Sequence, residues 1–315
     1  MSWENLTEHH VLDCVEAVIA EPLAALCLKR NSYINRVFEV ESRQTKQRYI
    51  VKFYRPDRWS QEMIQQEHDF LLYLDEQELP VIPPLQFKDK TLFDYDGIYF
   101  TVFPKKGGRS ISEFNQDQWL QIGRMLGRLH QLSKTRSNIS RIRWTPLESC
   151  KNQLDSILSS HTVPDDYVAS LTRTVDTFIK QSQHQFNQQD LFLLHGDCHL
   201  GNLINRPNEG MYLLDFDDMV IGPAVQDVWM LLPDNIEKCQ QEIAWFLEGY
   251  RLFKDFSYSS FDLVPTLKIM RQIYFAAWCA IQAKEAQFKH HFPHWGTIQY
   301  WNELIKDIQS IQSIQ

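Results

Sequence analysis

Two short polar segments, each entered from an apolar run, constrain this chain more than any other feature. The first is His195-Gly196-Asp197-Cys198-His199-Leu200-Gly201-Asn202, which follows Leu193-Leu194. The second, Asp215-Phe216-Asp217-Asp218, begins thirteen residues after Asn202, directly behind Met211-Tyr212-Leu213-Leu214. Two strands that deliver carboxylates to one place suit phosphoryl transfer. That chemistry needs one carboxylate to orient an acceptor hydroxyl and take its proton, and oxygen ligands that hold Mg2+ against a triphosphate. Asp197 can do the first. Asn202, five residues further along a short loop, can share a metal with Asp215. Asp, Asn and His are ordinary loop residues, so the signal lies in both halves occurring together at this spacing.

The chain upstream holds further parts of a nucleotide site. Asn31-Ser32-Tyr33-Ile34-Asn35-Arg36 reads as a polar turn, followed by the short alternating strand Val37-Phe38-Glu39-Val40. Tyr49-Ile50-Val51-Lys52-Phe53-Tyr54 is a more apolar strand, ended by Arg55-Pro56-Asp57. A lysine in a strand is usually a solvated residue. With the downstream carboxylates in the same chain, Lys52 reads instead as the ammonium group that reaches the α/β-phosphates. The stretch from Gln61 to Glu78 is a helix candidate and carries Glu67, fifteen residues after Lys52. A strand Lys paired with a Glu on the next helix fixes the nucleotide in kinases. For Glu67 a solvated helix face stays open as a second reading.

Composition narrows the class. Hydrophobic residues make up 43% of the 315, with nine Trp and nineteen Phe, enough for a sizeable core. The formal charge of −8, from 32 basic and 40 acidic side chains, argues against a general nucleic-acid binder. No run of eighteen apolar residues occurs, so no membrane partner is expected. Met1-Ser2-Trp3-Glu4-Asn5 lacks the basic and apolar regions of a signal peptide, and the six cysteines are scattered without metal-ligand spacing. Reduced thiols in a cytoplasmic protein are the simplest reading.

The order of these blocks resembles the aminoglycoside phosphotransferase and choline kinase superfamily, and within it a bacterial branch of stress-response Ser/Thr protein kinases. The resemblance rests on Asn31-Ser32-Tyr33 with Asn35-Arg36-Val37, Val51 to Pro56 with Arg58-Trp59, and Gly107-Gly108-Arg109. It continues through His195 to Asn202, Gly222 to Asp227 with Trp229 to Leu232, and Met270-Arg271 with Tyr274 and Ala277-Trp278. It thus spans nearly the whole chain. The resemblance implies an α+β, bilobal protein-kinase-like fold, with a small antiparallel-sheet N-lobe and a larger, mainly helical C-lobe. It places the proton acceptor on Asp197, the Mg2+ ligands on Asn202 and Asp215, the ATP-contacting serine on Ser32 and the nucleotide lysine on Lys52. Asp197 and Asp215 are then the catalytic pair, and Ser32, Lys52 and Glu67 bind ATP. Two departures matter. There is no Gly-x-Gly-x-x-Gly, and Asp217 stands where a glycine would give a mobile activation segment its freedom.

Motif order sets the expected domains. Residues 1–103 form the nucleotide-binding lobe, Pro104-Lys105-Lys106-Gly107-Gly108 the hinge, and 109–315 the helical lobe. Trp119 to His130 carries Ile122, Met125, Leu126 and Leu129 on one helical face, and Gly123 and Gly127 on the adjoining face would let another backbone approach. Further helices are expected over 225–232, 239–253 and 269–288. Asp227 is expected to brace the catalytic loop, and the His290, His291 and His294 cluster to be a solvated end. The expected activity is ATP- and Mg2+-dependent phosphoryl transfer by a monomer to Ser or Thr of other proteins, with autophosphorylation. A small-molecule acceptor (an aminoglycoside, choline or a sugar) and a silent binding module are the alternatives. An open, largely acidic cleft beside Asp197 goes with the protein acceptor.

Overall fold

The computed structural model describes residues 3–136, 139–284 and 288–312. In chain order its elements begin with α1 (Glu8–Ile19), β1 (Leu23–Arg30), β2 (Arg36–Ser42), β3 (Arg48–Phe53), α2 (Gln61–Glu76), β4 (Phe93–Tyr95), β5 (Ile98–Pro104), β6 (Arg109–Ser110) and α3 (Gln116–Ser133). There follow α4 (Lys151–Ser159), α5 (Asp165–Ser182), β7 (Leu191–Leu194), β8 (Leu203–Arg206), β9 (Gly210–Leu213) and β10 (Val220–Pro223). The chain continues through α6 (Gln226–Trp229), α7 (Gln240–Tyr250), α8 (Val264–Gln282), α9 (Phe288–His291) and α10 (Ile298–Gln312). Contacts group the chain into two compact units. One comprises Met1–Ser140, His199–Met219 and Ala244–Lys254, the other Arg141–Cys198, Val220–Ile243 and Asp255–Gln315.

The first unit is built on an antiparallel sheet of order β1-β2-β3-β5-β4. Alternation along β3 puts Val51 and Phe53 into a core with Phe38, Val40, Phe100 and Val102 of the sheet and Val11 and Val15 of α1. The Phe53 and Phe100 rings stack with centroids 5.1 Å apart. Lys52, between them in sequence, points to the other face, opposite Val37 on β2 and Thr101 on β5. The polar turn at 31–35 connects β1 and β2 as their hairpin loop. Helix α2 is started by Ser60, whose hydroxyl accepts from the Met63 N–H at 3.2 Å, and it ends at Glu76, two residues before the expected boundary.

Helix α3 opens with a reciprocal cap between Asn115 and Gln118 and buries Ile122, Met125, Leu126 and Leu129 as their period requires. Its Gly123 and Gly127 face the α7 backbone: a Cβ on either would run into the carbonyl oxygen of Phe246 or Tyr250. Gly249 meets the carbonyl of Leu120 in the same way from the α7 side. Gly123→Ala is therefore expected to cost about 1–3 kcal/mol through forced separation of the helices. The measurement is a thermal melt beside Gly107→Ala, whose Cβ would meet open space. Equal midpoints for the two variants would refute the close crossing.

In the second unit β7 and β10 pair antiparallel, from Leu191 opposite Pro223 to Leu194 opposite Val220. Helices α4, α5, α8 and α10 of this unit pack against one another, with Trp301 fully buried. The helix expected over 225–232 is shorter, because beyond Trp229 the backbone tightens into i to i+3 turns, Leu231 N–H to the Val228 carbonyl and Leu232 N–H to that of Trp229. Helix α8 starts earlier than expected, with Pro265 in its first turn, and ends at Gln282. Residues 285–287 of the expected helix lie outside the described residues. His290, His291 and His294 are exposed. Among the described residues no helix is long and apolar enough to cross a membrane.

Candidate active site

Lys52 organises the polar end of the first unit. Its Nζ lies 3.1 Å from Asp215 Oδ1 and pairs also with Asp217 Oδ1. Asp217, with a side chain only 4% exposed, accepts a further hydrogen bond from Asn35 Nδ2 at 2.5 Å and lies 3.7 Å from Arg58 Nη1. Arg58 Nη2 in turn holds Asp218 Oδ1 at 2.5 Å. Burial alone would depress the Lys52 pKa, but Asp215 and Asp217, with Glu67, outweigh it and hold the ammonium well above its ordinary value. For Asp217 burial pushes up, and Lys52 and Arg58 overcome it, keeping the carboxyl below the usual carboxylate range.

Asp215 is different in kind. Its backbone is left-handed, φ 62°, and its carboxylate is 56% exposed. A non-glycine residue there costs conformational energy and persists when its surroundings over-determine it. Here Phe216 is buried against Phe70 on one side and the β8–β9 hairpin arrives on the other. In that hairpin Leu203 sits opposite Leu213, and the Leu214 N–H donates to the Asn202 carbonyl at 2.9 Å. Asn202 and Asp215 are thus fixed to each other through the backbone. Glu67 is buried, 1% exposed, so the solvated helix face does not hold for it. Ser32 is exposed in the β1–β2 turn.

Asp197 belongs to the second unit, on the loop leaving β7. That loop is braced from α6. The Asp227 carboxylate accepts from the backbone N–H groups of His195 and Gly196, each at 2.8 Å, and Gln226 Nε2 donates to the Gly196 carbonyl at 3.0 Å. His195, fully buried, takes the Asp197 N–H on its Nδ1 at 3.3 Å. Asp227 therefore does the bracing expected of it, and His195 adds a bond within the loop. Asp197 Oδ1 makes an ion pair with Arg271 Nη2 at 2.7 Å. His199, in the first unit, caps the turn at Leu200–Asn202 by accepting from the Gly201 N–H. Cys198 is a buried thiol whose pKa burial pushes well up, which fits packing and not reactivity.

The donor chemistry of Asn202 and Asp215 fits a hard divalent cation, since both offer oxygen and the Asp215 carboxylate is open. Among the described residues no three His, Cys, Asp or Glu cluster into a protein-only metal site. Mg2+ at a triphosphate does not need one, because phosphate oxygens and water complete its shell.

The phosphotransferase enzyme family model matches residues 28–260. The chain belongs to that family. Stress response kinase A of Escherichia coli K12 is 35% identical to this phosphotransferase over 276 residues, covering 86% of this chain and 82% of that protein. The serine/threonine protein kinase RdoA of Salmonella typhimurium LT2 is 34% identical over 272 residues, with the same coverage. A solved structure of the amicoumacin kinase hAmiN, in complex with AMP-PNP, Ca2+ and Ami, has a TM-score of 0.75 at 20% identity and covers 98% of this chain and 94% of that one. The phosphotransferase thus has the protein-kinase-like fold, α+β, with an antiparallel N-terminal sheet and a helical C-terminal region.

Several residues of the two polar clusters escaped the sequence reading. Asp217 with Asn35, and Asp218 with Arg58, close the Lys52 cluster across 182 and 160 positions of sequence, separations that no local pattern encodes. Arg271 was visible only as part of Met270-Arg271, one of the blocks that carry the resemblance, and that block says nothing of its pairing with Asp197.

Proposed function

We propose that this phosphotransferase is an ATP- and Mg2+-dependent Ser/Thr protein kinase of the bacterial stress response. The observation that carries the kinase reading is the buried Lys52 held by the carboxylates of the Asp215–Asp217 segment, an ammonium kept charged in a strand of the sheet. The Ser/Thr acceptor rests on the relatives at 34–35% identity, a stress response kinase A and a serine/threonine protein kinase RdoA. In this reading Ser32 and the backbone of its turn contact the phosphates, Lys52 binds the α/β-phosphates, and Glu67 supports Lys52. Asn202 and Asp215 hold Mg2+, which when bound neutralises charge on the β- and γ-phosphates. Asp197 orients the acceptor hydroxyl and takes its proton as the new O–P bond forms and the β,γ-bridging oxygen leaves with ADP. Residues 1–103 act as the nucleotide lobe, 104–108 as its hinge and 109–315 as the acceptor lobe. The protein works as a cytoplasmic monomer, phosphorylates itself, and is thereby a phosphoprotein.

A second reading, a small-molecule kinase, is favoured by the likeness in fold to an amicoumacin kinase. The two separate in one experiment. Purified protein with radiolabelled ATP and Mg2+ is offered generic polypeptides in one arm, and amino alcohols, sugars and aminoglycosides in the other. Label on Ser or Thr of polypeptide is the expected result; label confined to a small molecule would overturn it.

A further inference from the structure

Arg271 touches the proposed base from a helix that also forms the wall of a cavity. Within the second unit a cavity of about 480 Å³ is bounded by α8, α10 and Trp229 of α6. The α8 wall is basic, with Lys268 and Arg271 one turn apart, and Lys268 exposed. The α10 wall is acidic, with Glu303 and Asp307, and both of those carboxylates are already engaged. Gln299 Nε2 donates to Glu303 at 2.8 Å and Gln272 Nε2 to Asp307 at 3.1 Å. The cavity is therefore of mixed charge. Trp229 is tied to the catalytic loop as well: its Nε1 donates to Gln226 Oε1 at 3.2 Å, and Gln226 holds the Gly196 carbonyl. One cavity is thus connected to the Asp197 loop twice, through Arg271 directly and through α6.

The Arg271 guanidinium sits on Asp197 Oδ1, an oxygen of the very carboxylate that an acceptor hydroxyl must approach. The pair is partly exposed, 36% for Arg271 and 23% for Asp197. Asp197 Oδ1 itself is buried and Arg271 is the more exposed partner, so the guanidinium is the side of the pair that an incoming group can reach. An incoming carboxylate offers the planar guanidinium a bidentate partner and so competes well for it. We propose that this cavity seats the residues that flank the acceptor hydroxyl, and that Arg271 is a positioning residue that reads an acidic side chain of the substrate polypeptide, leaving Asp197 to accept the hydroxyl. The inference rests on the protein-acceptor reading for its occupant. It assigns a substrate class within that reading: Ser or Thr with Asp or Glu nearby. It also gives the base a guard, since Arg271 occupies the carboxylate until a matching acceptor arrives.

Two measurements on the full-length protein test it. In the first, synthetic peptides with a single Ser are compared with Asp, Ala or Lys placed in turn at each neighbouring position, and kcat and KM are read from labelled ATP. The wild type is expected to favour the best Asp peptide over its Ala counterpart by about tenfold in kcat/KM, chiefly through KM. Arg271→Ala should bring that ratio close to one, whatever it does to kcat on the Ala peptide. Arg271→Lys should restore part of it, and Arg271→Glu should turn the preference toward Lys. A residue that merely props the loop would lower kcat on every peptide alike and leave the ratio unchanged, which would overturn the proposal. In the second measurement, calorimetry records binding of the same peptides with Ala in place of Ser. Equal wild-type affinity for the Asp and Ala peptides would also overturn it. Arg271-dependent binding of acidic peptides without any phosphorylation would keep the acid reader and reject the protein-kinase reading.

Discussion

Replacing Asp197 with Asn is expected to lower turnover by about 10²- to 10⁴-fold, the usual contribution of a positioned general base. The substitution keeps the shape of the side chain and removes its proton affinity. The Lys52, Asp215 and Asp217 cluster lies in the other compact unit and has its own partners, so ATP affinity should stay near the wild-type value. The loop itself should also persist. Its backbone is held by Asp227 and Gln226 at His195 and Gly196, bonds that the substitution leaves in place. The measurement is single-turnover transfer of labelled phosphate alongside calorimetric ATP binding and a far-UV circular dichroism spectrum. Wild-type turnover in a folded Asp197→Asn protein would remove Asp197 from the role of base.

What the sequence made legible follows the range of the interactions. Lys52 was readable as a strand residue because Tyr49 to Phe53 has the apolar density of a central strand, and β3 has neighbours on both sides. The turn at 31–35 was readable from its polar run, and the α3 stripe from its period of 3.6. The glycines at 123 and 127 could be read as a close approach, but not what approaches. The partner backbone, at Phe246 and Tyr250, lies more than a hundred residues away. Asp217 was noticed only as a missing glycine. Its buried partnership with Lys52, Asn35 and Arg58 depends on how three separated segments fold together, and single-sequence patterns carry no such information. The same holds for Arg271 and Asp197. Glu67 lay at the limit, since a helix face of mixed polarity does not say which of its charges is buried.

Asp215 and Asp217, two residues apart and both bonded to Lys52, are expected to fail in opposite ways when replaced by Ala. Asp215 is open to solvent at 56%, in a left-handed backbone that alanine tolerates poorly, and its carboxylate is a proposed Mg2+ ligand. Asp215→Ala should abolish the Mg2+ dependence of ATP binding and suppress transfer. Its stability should change less than that of the Asp217 variant, because Lys52 keeps Asp217. Asp217 is 4% exposed and engages Lys52, Asn35 and Arg58 at once. Removing it leaves buried cationic groups short of charge, a loss of about 3–5 kcal/mol for breaking such a pair. The pH dependence carries a sign that identifies the residue. Because the Asp217 carboxyl is held below its ordinary range, its stabilisation is fully present above about pH 4, the usual unfolded value, and disappears as the pH falls through the depressed folded value. The wild type and Asp217→Ala should therefore differ in urea midpoint at pH 7 and converge in strong acid, while ATP titrations with and without Mg2+ separate Asp215→Ala from both. An Asp217→Ala protein as stable as wild type at pH 7, or an Asp215→Ala protein with an undiminished Mg2+ effect, would reverse the division of labour between the two carboxylates.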